Sequence, residues 1–555
     1  MPTSEMKINT HTKKISQRNE LCKCGSGKKF KKCCMERHAN SNSLEKDSYQ
    51  LDLSRAQDAV LKKDFVAAES FFRHALLQKS NSTRALAGVG QCLCQLNRPD
   101  EGIPFLRQAG KQLLKEAKKT GATKLILDLA YQLTHWHAPA EALILAKAVL
   151  SIDANSASAH HTASISLQAL NRHAEAYAYA SRTVELAPHE SNAIIQLAVL
   201  EAKLGKPAVA RQRLESLVAK PFDPNIARAH LELGVILDKL SEFDSAFDHL
   251  TEAGKINMNT LMARGIDKQA VFRDINQFKS AFDAQFLQSA SSRLPEDDLP
   301  SPVFLIGFYR SGTTLAEQIL ASHPQVISSD EAHLLPPVLS ELYKITNSST
   351  SLPERLKSLG GSEITHLRQY YWQNAKRLFG QDVAQKVLLD KTTLNILNIE
   401  LINTLFPNAA VIFALRDPRD ICLSCFMQSF TLSSLTANFL SWNDCARFYA
   451  LIMDYWVSIR DNLSLQWMEL RYEDVINDIE GQFRPIFNKI GLEWSVECSE
   501  FYRHSQGKVI KTPSFDQVTR PLYNSSVDRW RHYEKHFATI LPVLKPYIES
   551  FGYHL

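Results

Sequence analysis

The sequence predicts a multidomain chain: an all-α repeat solenoid, then an α/β domain built on a parallel sheet, behind a small cysteine-rich head. From about Leu51 to Asn259 apolar residues keep a helical period, proline is sparse, and the pattern repeats near every 34 residues. Beyond residue 300, apolar runs of strand length (Val303–Ile306, Val387–Leu389, Ala410–Leu415) each run into a polar turn and then a helical stretch. Four of the ten cysteines fall between Cys22 and Cys34. A length of 555 residues exceeds what one core usually serves, in keeping with several domains.

At 45% apolar and 22% charged residues the composition is ordinary globular material. No apolar run reaches the roughly 20 residues of a membrane span, so a cytoplasmic protein without a membrane partner is expected. The net charge of +5 is uneven: residues 1–40 hold ten Lys or Arg against three Asp or Glu, and the other 515 hold 54 against 56. A solvated charge run is the simpler account of that head, and nucleic acid is not an expected partner.

In the head, Cys22, Cys24, Cys33 and Cys34 surround a Gly-Ser-Gly turn. Four thiolates suit a tetrahedral zinc ion, and the neighbouring lysines help keep the thiols deprotonated. A reduced or redox-active cluster in a tail is the alternative. The stretch resembles the SEC-C motif, found at the end of the preprotein translocase motor and on other bacterial proteins, and the resemblance implies zinc. There the motif is C-terminal, so a chaperone-docking role does not transfer. Residues 39–46, rich in Ser and Asn, read as a linker.

In the repeat region Ala142, Ala176 and Ala210 recur at the 34-residue step, as do Ala154 and Pro188. Small residues let paired helices approach closely, and about six units fit. Each resembles a tetratricopeptide repeat, which implies stacked helix hairpins with a concave face that binds a protein or peptide. His160 and His161 read as helix surface. Residues 261–300 read as a helical connector ending in an extended, proline-rich boundary.

The stretch Pro302 to Leu320 reads as strand, loop and helix. Unpaired N–H groups of the helix start, with the positive end of its dipole, make the loop an anion cradle. The Gly307 to Gly312 spacing is that of a nucleotide P-loop, yet Thr313 stands where a kinase or ATPase needs lysine, and the cation is Arg310. Arg310-Ser-Gly-Thr-Thr314 after a strand resembles the 5′-phosphate loop of sulfotransferases. These enzymes use 3′-phosphoadenosine 5′-phosphosulfate (PAPS). The following Ser322-to-His333 run resembles the tyrosylprotein sulfotransferase branch in particular.

That resemblance implies roles along residues 300–535. Arg310, Ser311, Gly312, Thr313 and Thr314 would hold the 5′ end of PAPS, and Arg416 with Ser424 the 3′-phosphate. Glu331, on the edge of a second strand, would take the proton of an attacking hydroxyl, with His333 as a second candidate base. Lys391 and Arg310 would both be catalytic, neutralising charge on the leaving oxygen. Tyr472 would lie near the nucleotide, while Arg471 is either beside it or in a structural ion pair. Ser514 and Arg529 would close over the nucleotide or sulfonate, Ser514 with a catalytic share. Gln428 replaces an arginine of the tyrosylprotein enzymes, a loss for which Arg419 is a candidate substitute. Enough cations converge that no magnesium is expected.

The domain boundaries expected are a head with linker over 1–46, repeats over 47–260, a connector over 261–300 and a sulfotransferase domain over 301–555. The function implied is transfer of a sulfuryl group from PAPS to an acceptor hydroxyl, on a tyrosine-like protein or peptide recruited by the repeats. Two alternatives stay open: a small-molecule, glycan or lipid acceptor with the repeats used for assembly, or a non-catalytic repeat adaptor.

Overall fold

The computed structural model describes residues 28–32, 34–96, 98–220, 223–289, 297–346, 350–505 and 526–555, excepting the side chains of 34–47, 504 and 505. Cys22, Cys24, Cys33 and Ser514 therefore lie outside the described residues, as does the side chain of Cys34. Two compact units are present, Met1–Asp153 and Ala154–Leu555.

The first unit holds three helix pairs: α1 (Cys34–Leu61) with α2 (Phe65–Gln78), α3 (Thr83–Gln95) with α4 (Pro99–Thr120), and α5 (Lys124–His135) with α6 (Pro139–Leu150). The linker expected over residues 39–46 is instead part of α1. That stretch contains neither glycine nor proline, so nothing in it breaks a helix. Gly88 shows why small residues recur at the crossings, since a Cβ there would meet the Phe72 ring at 2.6 Å.

The second unit opens with three more pairs: α7 (Ala157–Ala169) with α8 (His173–Leu186), α9 (Ser191–Lys203) with α10 (Pro207–Val218), and α11 (Ile226–Lys239) with α12 (Phe243–Ala263). Ala176, Ala210 and Ala246 are fully buried in the successive second helices. The connector follows as α13 (Ala270–Ala281) and α14 (Ala284–Ser289).

Five parallel strands then form one sheet: β1 (Val303–Gly307), β2 (Val326–Ser328), β3 (Val387–Lys391), β4 (Ala410–Leu415) and β5 (Gln466–Arg471), in the order β2-β3-β1-β4-β5. Helices intervene: α15 (Thr313–Leu320), α16 (Leu335–Ile345), α17 (Leu352–Ser358), α18 (Gly361–Phe379), α19 (Ile399–Leu405), α20 (Pro418–Phe426) and α21 (Trp442–Ile459). After β5 come α22 (Tyr472–Asn477) and α23 (Ile479–Lys489).

The apolar runs of β1 and β4 are unbroken because both faces of a parallel sheet are covered. Phe304, Ile306, Val411 and Phe413 join a core with Trp372, Tyr371 and Trp456, while Leu305, Ile412 and Ala414 join a second core with Leu315, Ile319 and Phe487. The chain leaves β1 toward β2 on one side and later returns to place β4 on the other. Such a reversal opens a crevice at the C-terminal ends of the two strands, where open α/β sheets receive ligands.

Candidate functional site

The loop leaving β1 turns on two left-handed residues, Arg310 (φ 67°) and Gly312 (φ 98°). Gly312 precedes the first turn of α15 and could not be replaced freely, because a Cβ would lie 2.7 Å from the Tyr472 ring. Ser311, Thr313 and Thr314 are all buried. Thr313 Oγ1 lies 3.1 Å from Thr393 Oγ1, whereas the buried Ser311 Oγ has no hydrogen-bond partner among the described residues.

The loop leaving β2 is unusual in the same way: Asp330, Glu331 and His333 all have positive φ. Such conformations persist where surrounding contacts impose them. Here Ser329 Oγ accepts the backbone N–H of Lys391 at 2.9 Å, tying the loop to the end of β3. Lys391 is fully buried between two carboxylates, with Nζ 2.7 Å from Glu331 and 3.0 Å from Glu317. Burial alone would push its ammonium down, but the charges of Glu317 and Glu331 more than offset this and hold it up at about 12. Lys391 is therefore a permanent cation. Glu317 is itself fully buried and accepts the hydroxyl of Ser328, while Glu331 keeps 28% of its side chain exposed.

At the end of β4, Arg416 Nη1 donates to the Arg310 carbonyl at 3.1 Å, and its guanidinium lies 4.8 Å from the Tyr472 ring centroid. Arg310 Nε in turn donates to Ser424 Oγ on α20 at 2.9 Å. The loops after β1 and β4 are thus joined directly, and the positions expected to grip opposite ends of one nucleotide share a wall. Arg416 Nε, like Thr392 Oγ1 after β3, is buried without a hydrogen-bond partner among the described residues. Three buried groups here thus keep hydrogen-bonding capacity that no described residue takes up.

Residues 302–496 match the model of the Sulfotransferase family, and residues 18–36 match that of the SEC-C motif. Residues 302–496 are a sulfotransferase-family domain. An uncharacterized protein of Aquifex aeolicus is 29% identical over 364 residues, covering 63% of this chain and 44% of that protein. Protein-tyrosine sulfotransferase A of Caenorhabditis elegans is 24% identical over 241 residues, covering 41% and 60%. The chain spans less than two thirds of either relative. Among solved structures, the sulfotransferase domain from the Synechococcus PCC 7002 olefin synthase is 22% identical and covers 47% of this chain and 98% of that one, with a TM-score of 0.34.

Within the sulfotransferase domain the five strand-end positions Arg310, Glu331, Lys391, Arg416 and Tyr472 converge on one sheet edge, with Ser424 beside them. Arg529 does not join them, since its guanidinium pairs with Asp238 of α11. Arg419 is no substitute for the arginine missing at Gln428: it is buried, bound to Asp417 and the His554 carbonyl, and packed 3.7 Å from the Trp530 ring. Arg471 is structural, donating to the Phe551 carbonyl and lying over Tyr553. His333 is exposed beside Glu331.

Three contributors escape the sequence reading. Glu317 looks like the polar face of an amphipathic helix, yet supplies Lys391 with its second counter-ion. Ser329 lies within the Ser322-to-His333 run, but nothing there marks its tie to the Lys391 backbone. Ser526 sits between two expected nucleotide residues, its carbonyl accepting from Arg416 and its side chain hydrogen-bonded to Tyr472. No pattern in the sequence marks it. Among the described residues, no group of three or more His, Cys, Asp or Glu could hold a metal ion, and no helix is long and apolar enough to cross a membrane.

Proposed function

We propose that this chain transfers a sulfuryl group from PAPS to an acceptor hydroxyl on a protein or peptide. The observation that carries the proposal is the contact between the two strand-end loops, Arg416 to the Arg310 carbonyl and Arg310 to Ser424, at the reversal point of the sheet. Neighbouring strands lie about 4.8 Å apart, so anion sites at the ends of β1 and β4 are close enough for one nucleotide to fill both. A phosphate group would also satisfy the buried donors of Ser311, Thr392 and Arg416 that have no partner among the described residues.

PAPS supplies an activated sulfuryl group whose bond to phosphate breaks as the acceptor oxygen bonds to sulfur, releasing adenosine 3′,5′-bisphosphate. Glu331, part-exposed at the site, receives the acceptor proton. Lys391 and Arg310 offset negative charge growing on the departing phosphate, and a buried cation is worth far more there than one in water. The Lys391–Glu331 ion pair holds base and cation in one geometry before any ligand arrives.

A protein acceptor is supported by the way the last repeats meet the domain. A cavity of about 160 Å³ has Arg228, Leu231 and Leu250 of α11 and α12 on one side and Gln428, Phe430 and Phe439 on the other. The Phe430 and Phe439 rings also pack on Tyr309, the residue before Arg310. Zinc bound by Cys22, Cys24, Cys33 and Cys34 is proposed on the SEC-C match alone, and a cytoplasmic setting goes with the use of PAPS.

The test is calorimetric titration of the purified chain with adenosine 3′,5′-bisphosphate, followed by incubation with labelled PAPS and candidate peptides. Stoichiometric binding that is lost in Arg416→Ala is expected. A wild-type protein that takes up no bisphosphate would end the proposal.

A further inference from the structure

We infer that Asp238, at the end of the last repeat's first helix, is a positioning residue for the nucleotide site. This rests on the function proposed above. The Asp238 carboxylate is 8% exposed and is used twice, by the Arg529 guanidinium on one oxygen and by the Tyr533 hydroxyl at 2.7 Å on the other.

Both partners belong to the segment expected to close over the nucleotide. Ser526 gives its carbonyl to Arg416 and its side chain to Tyr472, and the Trp530 N–H donates to Asp420 at 2.9 Å. Asp420 lies 3.8 Å from Arg416 on the other side. Residues 526–533 are thus pinned at one end to the arginine expected to hold the 3′-phosphate and at the other to a carboxylate of the repeats. A nearly buried carboxylate that accepts two hydrogen bonds, one of them charge-assisted, fixes both donors more firmly than an exposed ion pair would. The last repeat is on this account a built-in part of the nucleotide site, not a detachable adaptor.

The full-length chain carrying Asp238→Asn tests this. Its KM for PAPS and its Kd for adenosine 3′,5′-bisphosphate are expected to rise about tenfold, while kcat at saturating PAPS stays within about threefold of wild type. Asp238→Glu should recover part of the affinity. Tyr533→Phe, which removes one hydroxyl and disturbs folding least, should raise the same KM about threefold. Asp244→Asn breaks another contact between repeat and domain, to His536 and Lys535, and should leave nucleotide affinity unchanged. Wild-type affinity in both Asp238→Asn and Tyr533→Phe, tighter binding in Asp238→Asn, or an equal loss in Asp244→Asn would overturn the inference while leaving the proposed activity intact. A wild-type chain that binds no bisphosphate would overturn both.

Discussion

Left-handed backbone occurs in the repeats and at the sheet edge, and it does different work in each. In the repeats it is periodic: His137, Asn171 and Gly205 follow one another at 34-residue steps, and Lys63 and Ser241 occupy turns of the same kind. Lysine, histidine, asparagine, glycine and serine all serve there, because a turn between paired helices needs a conformation and little else. At the sheet edge Arg310, Asp330, Glu331 and His333 crowd into two loops, and each is a residue with chemistry to offer. A left-handed L-residue costs roughly 1–2 kcal/mol. Spread over repeat turns that cost sets a path for the chain; concentrated at two strand ends it holds charged groups where packing alone would not.

The sharpest way to break this contrast is Lys391→Met. Its removal leaves Glu317 buried without a counter-charge, which should cost about 3–5 kcal/mol of stability, and turnover should fall by about 10²–10³ or more. Adding Glu317→Gln should restore most of the stability in denaturant melts without restoring turnover. Turnover retained in Lys391→Met would make the sheet edge ordinary core.

A matched pair of glycines gives a smaller effect. Gly205 and Gly312 both have positive φ, but a Cβ at Gly205 meets nothing within 4 Å and one at Gly312 meets Tyr472 at 2.7 Å. Gly205→Ala should cost about 1 kcal/mol and leave bisphosphate binding alone. Gly312→Ala should weaken binding about tenfold or more by calorimetry, since Tyr472 must move. Equal binding in the two variants would remove the distinction between the regions.

The same contrast explains what could be read in advance. Strands β1, β3 and β4 were legible because parallel strands covered on both faces leave unbroken apolar runs, and the loop after β1 was legible because its small residues are forced by close approach. The repeat pairs were legible through the alanines at their crossings. What stayed hidden depends on partners far apart in sequence: Glu317 with Lys391, Ser526 with Arg416, Asp238 with Arg529. A lone carboxylate or serine carries no mark of a contact made across more than 70 residues. The pairing of Arg529 was hidden on the same ground, because nothing local announces Asp238.

The smallest expected effect compares how the two regions answer to pH. His161, expected on the helix surface, is instead part-buried, and that burial, helped by the charge of Arg228, pushes it down to about 4. Burial pushes Asp390, next to Lys391, up to about 7, although the Tyr371 hydroxyl donates to it at 2.9 Å and Asn395 at 3.3 Å. The stability linked to His161 is complete above its unfolded value near 6.5 and is lost as pH falls toward 4. That linked to Asp390 is complete below its unfolded value near 3.9 and is lost as pH rises through 7. Both groups lie in the unit Ala154–Leu555, so unfolding that unit at fixed pH values between 5 and 7 reads them together. His161→Gln should make stability rise less with pH across that window, and Asp390→Asn should make it rise more, each by at most about 1.4 kcal/mol per pH unit. Slopes that move in the same direction in the two variants would mean that burial does not govern these groups in opposite senses.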